Sequence, residues 1–348
     1  MLTDKKKIVV VTNSLTGGRA ERSMNIVAQE FADRKFEVAL IAINAGPRDL
    51  YTPTCKIFCL NRKLKGGVIS TLFALIRYNL FIFGARPNAI IVNTDLPELF
   101  WALTIFKSQI IAVEHSPFAW NKRRLFGFLV REVLKLRNSI FVSVSPHQEV
   151  WRANSNPIKV IPNPIGQLSS TAFLNHSVDS FPISRLIYIG RLTNPEKRPE
   201  IVLEIALATH LEVVFIGSGP ERENLEILSQ ENEIKVNFLG FILNPWEVIQ
   251  DGDVLIVPSK WEGDGLVVLE ALQRRIPILV SDIEAFRRFE FEEKNYCTTT
   301  SDFCDRIMLN LEDSKELIVG DSISQSILMK RAAGVVGNLW EELLDDLQ

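Results

Sequence analysis

Short runs of Ile and Val alternate with helical stretches along most of this 348-residue chain, and the alternation breaks once, near its middle. Ile8–Val11, Val38–Ile43, Ala89–Val92, Ile110–Val113 and Ile140–Val144 are uninterrupted apolar runs of strand length. Strands that read this way are covered on both faces, as in a parallel sheet. Helical stretches are expected between them, near Glu21–Phe31, Val68–Phe81, Pro97–Phe106 and Arg123–Leu136. Such a series predicts a doubly wound α/β sheet. Gly166–Ser184, rich in Ser, Asn and Pro, has neither period and is expected to be a linker. The alternation then resumes. Leu186–Ile189, Glu212–Ile216, Lys235–Leu239, Val254–Val257 and Ile278–Val280 are expected strands, and Pro199–Ala208, Glu221–Gln230, Pro245–Gln250 and Leu266–Arg274 expected helices. The expected organisation is two Rossmann-like domains, residues 1–165 and 166–323, facing a cleft lined by post-strand loops. In the remaining stretch, 324–348, Ile327, Leu328, Ala332, Val335, Val336, Leu339, Trp340 and Leu343 share a broad helical face, suited to a helix that crosses back onto the first domain.

Charge separates the same two halves. Residues 1–170 hold 23 Lys and Arg against 11 Asp and Glu, a balance of +12, while the remainder holds 16 against 31, a balance of −15. A basic first half suits an anionic membrane face or an anionic acceptor. The most apolar segment, Val68–Phe83, is interrupted by Arg77 and Asn79, so no spanning helix is expected. The apolar run in MLTDKKKIVVVTNS is too short for a signal sequence, and a cytoplasmic location, peripheral on the inner face of the cell membrane, is expected. The four cysteines, Cys55, Cys59, Cys297 and Cys304, show neither zinc spacing nor a redox pair, and no metal site is expected.

Ligands of open α/β sheets sit beyond the carboxyl ends of the strands, so the post-strand segments are where chemistry is sought. After the first strand, Gly17 and Gly18 let the backbone approach an anion. Arg19 follows directly, and the GxGxxG fingerprint of dinucleotide enzymes is missing, which argues against a dehydrogenase. His115 follows the run Ile110–Val113 after Glu114. Arg191 and Lys197, six residues apart after Leu186–Ile189, can converge on a phosphate, the Arg as a planar fork and the Lys as a point charge, unless Glu196 pairs with them locally. Gly217 and Gly219 open the next post-strand turn. The richest segment is Pro258–Leu272, PSKWEGDGLVVLEAL. Its Glu262 precedes Gly263, Asp264, Gly265 and Leu266 at a helix start, and Glu270 stands in an apolar helix where a carboxylate needs a partner, a ribose hydroxyl or an arginine. Asp251 and Asp253 have the spacing of a metal-binding acidic pair but precede a strand instead of following one.

These segments resemble, in order, the motifs of the retaining glycosyltransferases of the GT-B fold, family 4. Pro258–Leu272 resembles that family's E-x7-E signature, residues 17–22 its GGGAER loop, Val142–Ser145 its VSVS strand, Ile161–Pro164 its IPNP turn, Gly190–Lys197 its GRL…EK segment and Phe215–Gly219 its FIGSG turn. The resemblance implies transfer of a hexose or N-acetylhexosamine from a nucleotide-diphosphate sugar to a saccharide or lipid-linked saccharide, without metal or cofactor, in bacterial surface polysaccharide or lipopolysaccharide assembly. It implies that UDP-sugars are favoured over GDP-sugars and that nucleic acid is no partner. It assigns the leaving diphosphate to Arg191 and Lys197, the donor sugar to Glu262 and His115, the ribose to Glu270, and backbone contacts with the donor to Gly17, Gly18, Gly217, Gly219, Gly263, Asp264, Gly265 and Leu266. Asp264 stands where the family usually has an aromatic residue, and a carboxylate there could read a different pattern of donor hydroxyls, which opens the donor-sugar identity; Arg19 stands where the family often has a third glycine. Two other readings keep the fold: a sugar-nucleotide epimerase, and a catalytically silent sugar-nucleotide-binding protein, the latter motivated by Asp264 and Arg19.

Overall fold

Two parallel sheets organise the chain, and the computed structural model describes residues 5–15, 18–34, 36–44, 46, 52–63, 67–115, 120, 123–146, 158–166 and 181–347. The chain divides into two compact units, residues 1–167 with 330–348, and residues 168–329.

The first unit runs β1 (Lys7–Thr12), α1 (Arg19–Asp33), β2 (Glu37–Asn44), β3 (Lys56–Arg62), α2 (Gly67–Ala85), β4 (Ala89–Asn93), α3 (Asp95–Ala102), β5 (Gln109–Glu114), α4 (Arg124–Leu136), β6 (Ile140–Ser143) and β7 (Ile158–Val160). The sheet order is β3-β2-β1-β4-β5-β6-β7, every pairing parallel. Strand alternation sends Ile8 and Val10 to one face of the sheet and Val9 and Val11 to the other. The first face packs on Met24, Val27 and Phe31 of α1. The second packs on Ala74, Tyr78 and Ile82 of α2, Phe100 and Trp101 of α3, and Val130 and Leu134 of α4. Both faces are covered, so β1 and β4 read as continuous apolar runs.

Three differences from the sequence reading stand out here. Strand β3 has no counterpart in the expected set, because it is a half-buried edge strand, KIFCLNR, without a clean apolar run. Helix α3 begins at Asp95 and ends at Ala102 instead of spanning Pro97–Phe106. Helix α2 is long and apolar enough to cross a membrane by length and composition, despite Arg77 and Asn79. Its stripe Ala74, Tyr78 and Ile82 nonetheless lies against the sheet.

The second unit runs β8 (Arg185–Ile189), α5 (Glu200–Thr209), β9 (Glu212–Ile216), α6 (Arg222–Glu231), β10 (Val236–Gly240), β11 (Asp253–Val257), α7 (Leu266–Leu272), β12 (Ile278–Ser281), α8 (Glu284–Arg287), β13 (Tyr296–Cys297), α9 (Thr300–Leu309) and α10 (Asp321–Lys330). Its sheet order is β10-β9-β8-β11-β12-β13, again parallel. The stretch expected as a helix at Pro245–Gln250 is a 3-10 turn over Pro245–Val248. At the amino edge, Asp253 is buried against Arg185, with both contacts at 2.7 Å, and accepts the Gln250 amide at 2.7 Å. That pinning ties β8 to β11 and gives Asp253 a structural role.

The terminal run expected as one helix is two. A break at Arg331 and Ala332 separates α10 from α11 (Ala333–Asp345). The break is held by pairing far along the chain: Ile165 N–H donates to Arg331 O at 2.9 Å, and Arg331 donates to Asn163 O at 3.2 Å. Asn163 also accepts from the Ser23 hydroxyl at 2.6 Å, so the Ile161–Pro164 turn fastens α1 and the returning C-terminal segment together. Val336, Trp340, Leu343 and Leu344 of α11 then complete the core of the first unit beside Phe31.

Candidate functional site

In the second unit, three post-strand loops meet at the carboxyl edge of the sheet, and backbone hydrogen bonds join the first two. Gly190 N–H donates to Ile216 O at 3.0 Å, Leu192 N–H to Ser218 O at 3.0 Å, and Glu221 N–H to Leu192 O at 3.1 Å. The loops run so close that side chains are excluded. A Cβ on Gly217, whose φ is +146°, would lie 1.8 Å from Gly190 O, and one on Gly219 would lie 2.1 Å from Leu192 O. Both glycines therefore have a steric reason in the chain itself.

Arg191 and Lys197 follow β8, with a cis peptide at Asn194–Pro195 between them. Arg191 Nη2 donates to both oxygens of the Glu196 carboxylate, at 2.9 and 3.1 Å. Lys197 Nζ lies 2.6 Å from Glu262 Oε1 and 3.4 Å from Glu196 Oε1. Lys197 and Glu262 are nearly buried, 15% and 12% exposed by side chain, whereas Arg191 is 68% exposed. Ser259 Oγ donates to the same Glu262 oxygen at 2.9 Å, and Lys260 N–H donates to Glu196 O at 2.9 Å. The loops after β8 and β11 are thus joined around one Lys and two Glu. Arg198, which the sequence reading passed over, adds a second clamp, donating to Pro258 O at 2.7 Å and to Ser281 Oγ, at the carboxyl end of β12, at 3.0 Å.

Gly263, Asp264, Gly265 and Leu266 form the turn into α7, with Gly265 at φ +66° and its Cα facing Phe286, where a Cβ would come within 2.7 Å. Asp264 is buried, and its carboxylate pairs with Arg288, which also donates to the Asp264 carbonyl at 2.7 Å. The carboxylate expected to read donor hydroxyls is therefore engaged by the protein. Glu270 is buried in α7 and accepts the Trp246 indole N–H at 3.1 Å. The Arg274 guanidinium stacks 4.8 Å from the Trp246 ring centre and donates to Glu270 O at 2.8 Å. Trp246 and Arg288 went unnoticed in the sequence because their partners lie 24 residues away.

His115 and Gly18 belong to the first unit, and Gly17 lies outside the described residues. Gly18 precedes α1, and its N–H donates to the Glu21 carboxylate at 3.0 Å, a cap supplied by the chain. Asn13 donates to the same carboxylate at 3.3 Å and to Thr94 Oγ1 at 2.9 Å. His115 follows Glu114 at the carboxyl end of β5. Behind it lies a buried ionic cluster. Arg131 contacts Glu114 at 2.5 Å and Glu98 at 3.5 Å, while Glu98 accepts the Trp120 indole N–H at 2.7 Å. Asp95 accepts the Trp120 backbone N–H at 3.2 Å. Burial pushes the Glu98 carboxyl up to about 7, with Arg131 and the Trp120 donor opposing, and burial raises Asp95 as well.

Residues 184–317 match the family of glycosyl transferases group 1. Among curated proteins, the chain is 29% identical over 171 residues to the O-antigen biosynthesis glycosyltransferase WclY of Escherichia coli, covering 45% of this chain and 48% of that protein. The match thus spans about half the length of that relative. It is 25% identical over 283 residues, 76% of each chain, to a GalNAc-alpha-(1->4)-GalNAc-alpha-(1->3)-diNAcBac-PP-undecaprenol alpha-1,4-N-acetyl-D-galactosaminyltransferase of Campylobacter jejuni. Among solved structures, Anabaena Alr3699/HepE in complex with UDP and glucose superposes with a TM-score of 0.78 at 16% identity, covering 98% of this chain and 100% of that one.

Proposed function

We propose, from the match of residues 184–317 to the glycosyl transferases group 1 and from the GT-B fold, that the chain moves a hexose or N-acetylhexosamine from a nucleoside-diphosphate sugar to a hydroxyl of a saccharide or lipid-linked saccharide, with retention at the anomeric carbon. The observation that carries the reading is the cluster of Lys197 and Arg191 with Glu196 and Glu262, at the edge of the sheet where α/β ligands sit. In the proposed reaction the acceptor oxygen bonds to the anomeric carbon as its bond to the diphosphate oxygen breaks. The electron pair leaves with the diphosphate, and the acceptor proton passes to a departing phosphate oxygen. Negative charge grows on that oxygen, where prepositioned cations lower the barrier most. Arg191 and Lys197 supply them, and the donor phosphates take the place that Glu196 and Glu262 hold around them. Glu270, oriented by Trp246, is assigned to the ribose hydroxyls.

A UDP-sugar is the favoured donor, supported by the UDP and glucose bound to the Anabaena protein. The names of the Escherichia coli and Campylobacter jejuni relatives support a place in O-antigen or related surface polysaccharide assembly, and the second of them an undecaprenol-linked acceptor. The basic balance of the first half of the chain fits a cytoplasmic enzyme that is peripheral on an anionic membrane. The test is Lys197→Ala. Turnover with a UDP-sugar should fall by roughly 100-fold or more, as when one charge-stabilising donor is removed, measured at a temperature where circular dichroism shows both proteins folded, because Glu262 loses its counter-ion and the melting temperature should fall as well. Activity close to that of the parent protein overturns the assignment. Proton NMR of the product reads the anomeric configuration, and an inverted product overturns retention.

A further inference from the structure

Helix α2 presents apolar side chains on nearly every side, yet only Ala74, Tyr78 and Ile82 are buried. Val68, Ile69, Leu72, Phe73, Ile76 and Leu80 all face solvent, with Val68 at 74% exposure. An outward face of this kind is unusual on a soluble unit unless something covers it. Helix α4 repeats the pattern: Val130 and Leu134 pack inward, while Leu125, Phe126, Phe128 and Leu129 are exposed. The inward residues of α2 and α4 join one core layer on the same face of the first sheet, with α3 in that layer too, so their outward residues look away from the sheet on the same side. Leu103 and Ile105, which follow α3 in that layer, are exposed as well.

We propose that the outward face of α2 and α4 docks on an anionic lipid bilayer, its apolar side chains entering the headgroup region and its basic rim meeting the lipid phosphates. The choice of a bilayer rests on the membrane-borne acceptor proposed above, and the charge pattern supports it independently. No Asp or Glu occurs between residues 50 and 94, a stretch that holds six Lys and Arg. Lys63 and Arg86 lie just before and after α2, Lys107 follows α3 and Arg123 precedes α4, and all four are exposed. Helix α4 holds one acidic residue, Glu132, which pairs with Lys135 at 2.6 Å. A second copy of the chain would bring an equally basic rim against this one, whereas anionic lipid complements it. Helix α2 lies on the bilayer and does not cross it. Its buried stripe is part of the core, and Arg77 donates to Leu60 O at 3.1 Å and Cys59 O at 3.2 Å on β3, contacts that insertion would break.

The test is sedimentation with phosphatidylglycerol–phosphatidylcholine vesicles and with pure phosphatidylcholine vesicles, at low and high salt. The parent protein is compared with the α2 variant Leu72→Ser/Phe73→Ser/Leu80→Ser, the α4 variant Leu125→Ser/Leu129→Ser, and the second-unit control Leu207→Ser/Leu309→Ser. All these side chains are exposed, so folding should survive, and circular dichroism checks it. The parent and the control should bind the anionic vesicles alike. Each face variant should bind more than about tenfold more weakly, and high salt should weaken the parent's binding without abolishing it. Failure of the parent to bind, or face variants that bind as the parent does, overturns the proposal. So does a parent dimer in solution that the serine variants dissociate while vesicle binding stays unchanged. Transfer to a water-soluble saccharide separates this proposal from the enzymatic one. Vesicle binding without any sugar transfer upholds the docking face and removes the proposed activity, while transfer without vesicle binding does the reverse.

Discussion

Replacing Gly217 by alanine should cost about 3–5 kcal/mol of stability in the second unit. The added Cβ would sit 1.8 Å from Gly190 O, where ordinary contact begins near 3.4 Å, so the two loops must separate by more than an ångström. Overpacking of that kind costs about 1–3 kcal/mol. A φ of +146° adds roughly 1–2 kcal/mol for any residue with a Cβ. Separation also strains the bonds Gly190 N–H to Ile216 O and Leu192 N–H to Ser218 O, each 3.0 Å long and each worth about 1 kcal/mol. Alanine returns about 0.4–1 kcal/mol by restricting the unfolded chain. The same substitution at Gly84, in exposed helix with nothing within 4 Å of the added carbon, should instead be neutral or stabilise by up to about 1 kcal/mol. Urea denaturation, followed by a probe in each unit, measures both. Because Arg191 lies on the displaced loop, Gly217→Ala should also raise the KM for the donor. Parent-like stability in Gly217→Ala would refute the steric reading and leave ligand contact as the reason for glycine there.

Three further outcomes follow from buried pairs. The Glu98 carboxyl titrates near 7 in the folded state and near 4.5 when unfolded, so the folded state holds its proton more tightly and stability falls as pH rises between those values. Glu98→Gln, which still offers Trp120 an acceptor, should flatten that slope, by at most about 3 kcal/mol, and parallel stability–pH curves for the two proteins would count against it. Trp246→Phe removes the indole donor to Glu270, which should cost about 1–3 kcal/mol and raise the donor KM several-fold with a smaller change in kcat. In a double-mutant cycle, Asp264→Asn and Arg288→Met should show a coupling energy of about 1–3 kcal/mol in stability; independent effects, with altered donor selectivity in Asp264→Asn, would return Asp264 to the role of sugar reader.

Elements buried on both sides were readable from the sequence because burial itself writes the signal. Strand β9 was expected at Glu212–Ile216 and is found there. What escaped was structure set by neighbours. Strands β7 and β13 have three and two residues and exist through pairing with β6 and β12. Helix α9 was missed although Thr299 and Asp302 form a reciprocal cap at its start, a Thr-x-x-Asp signal available in the sequence. The break between α10 and α11 carries no proline and is made by Ile165, more than 160 residues earlier in the chain.

The site shows the same division at finer scale. Residue type and strand-end position singled out Arg191, Lys197 and Glu262 as candidates, an apolar helix context singled out Glu270, and spacing alone raised the Arg191–Glu196 pair. The pairings of Lys197 with Glu262, of Asp264 with Arg288 and of Glu270 with Trp246 join separate loops, and no local pattern encodes which loops meet. These pairings change the physical picture of the cations. A nearly buried Lys without a counter-ion would carry a large desolvation penalty. Glu262 removes it by standing 2.6 Å away, and Ser259 fixes the orientation of that carboxylate. If the donor binds here, its diphosphate replaces one anion by another around an ammonium that is already in place. The site then need not reorganise to receive charge, the condition under which fixed charges stabilise a transition state most effectively. Glu262→Gln should accordingly damage both the resting position of Lys197 and turnover, whereas a Glu262 acting on the sugar alone would leave the stability of the second unit unchanged.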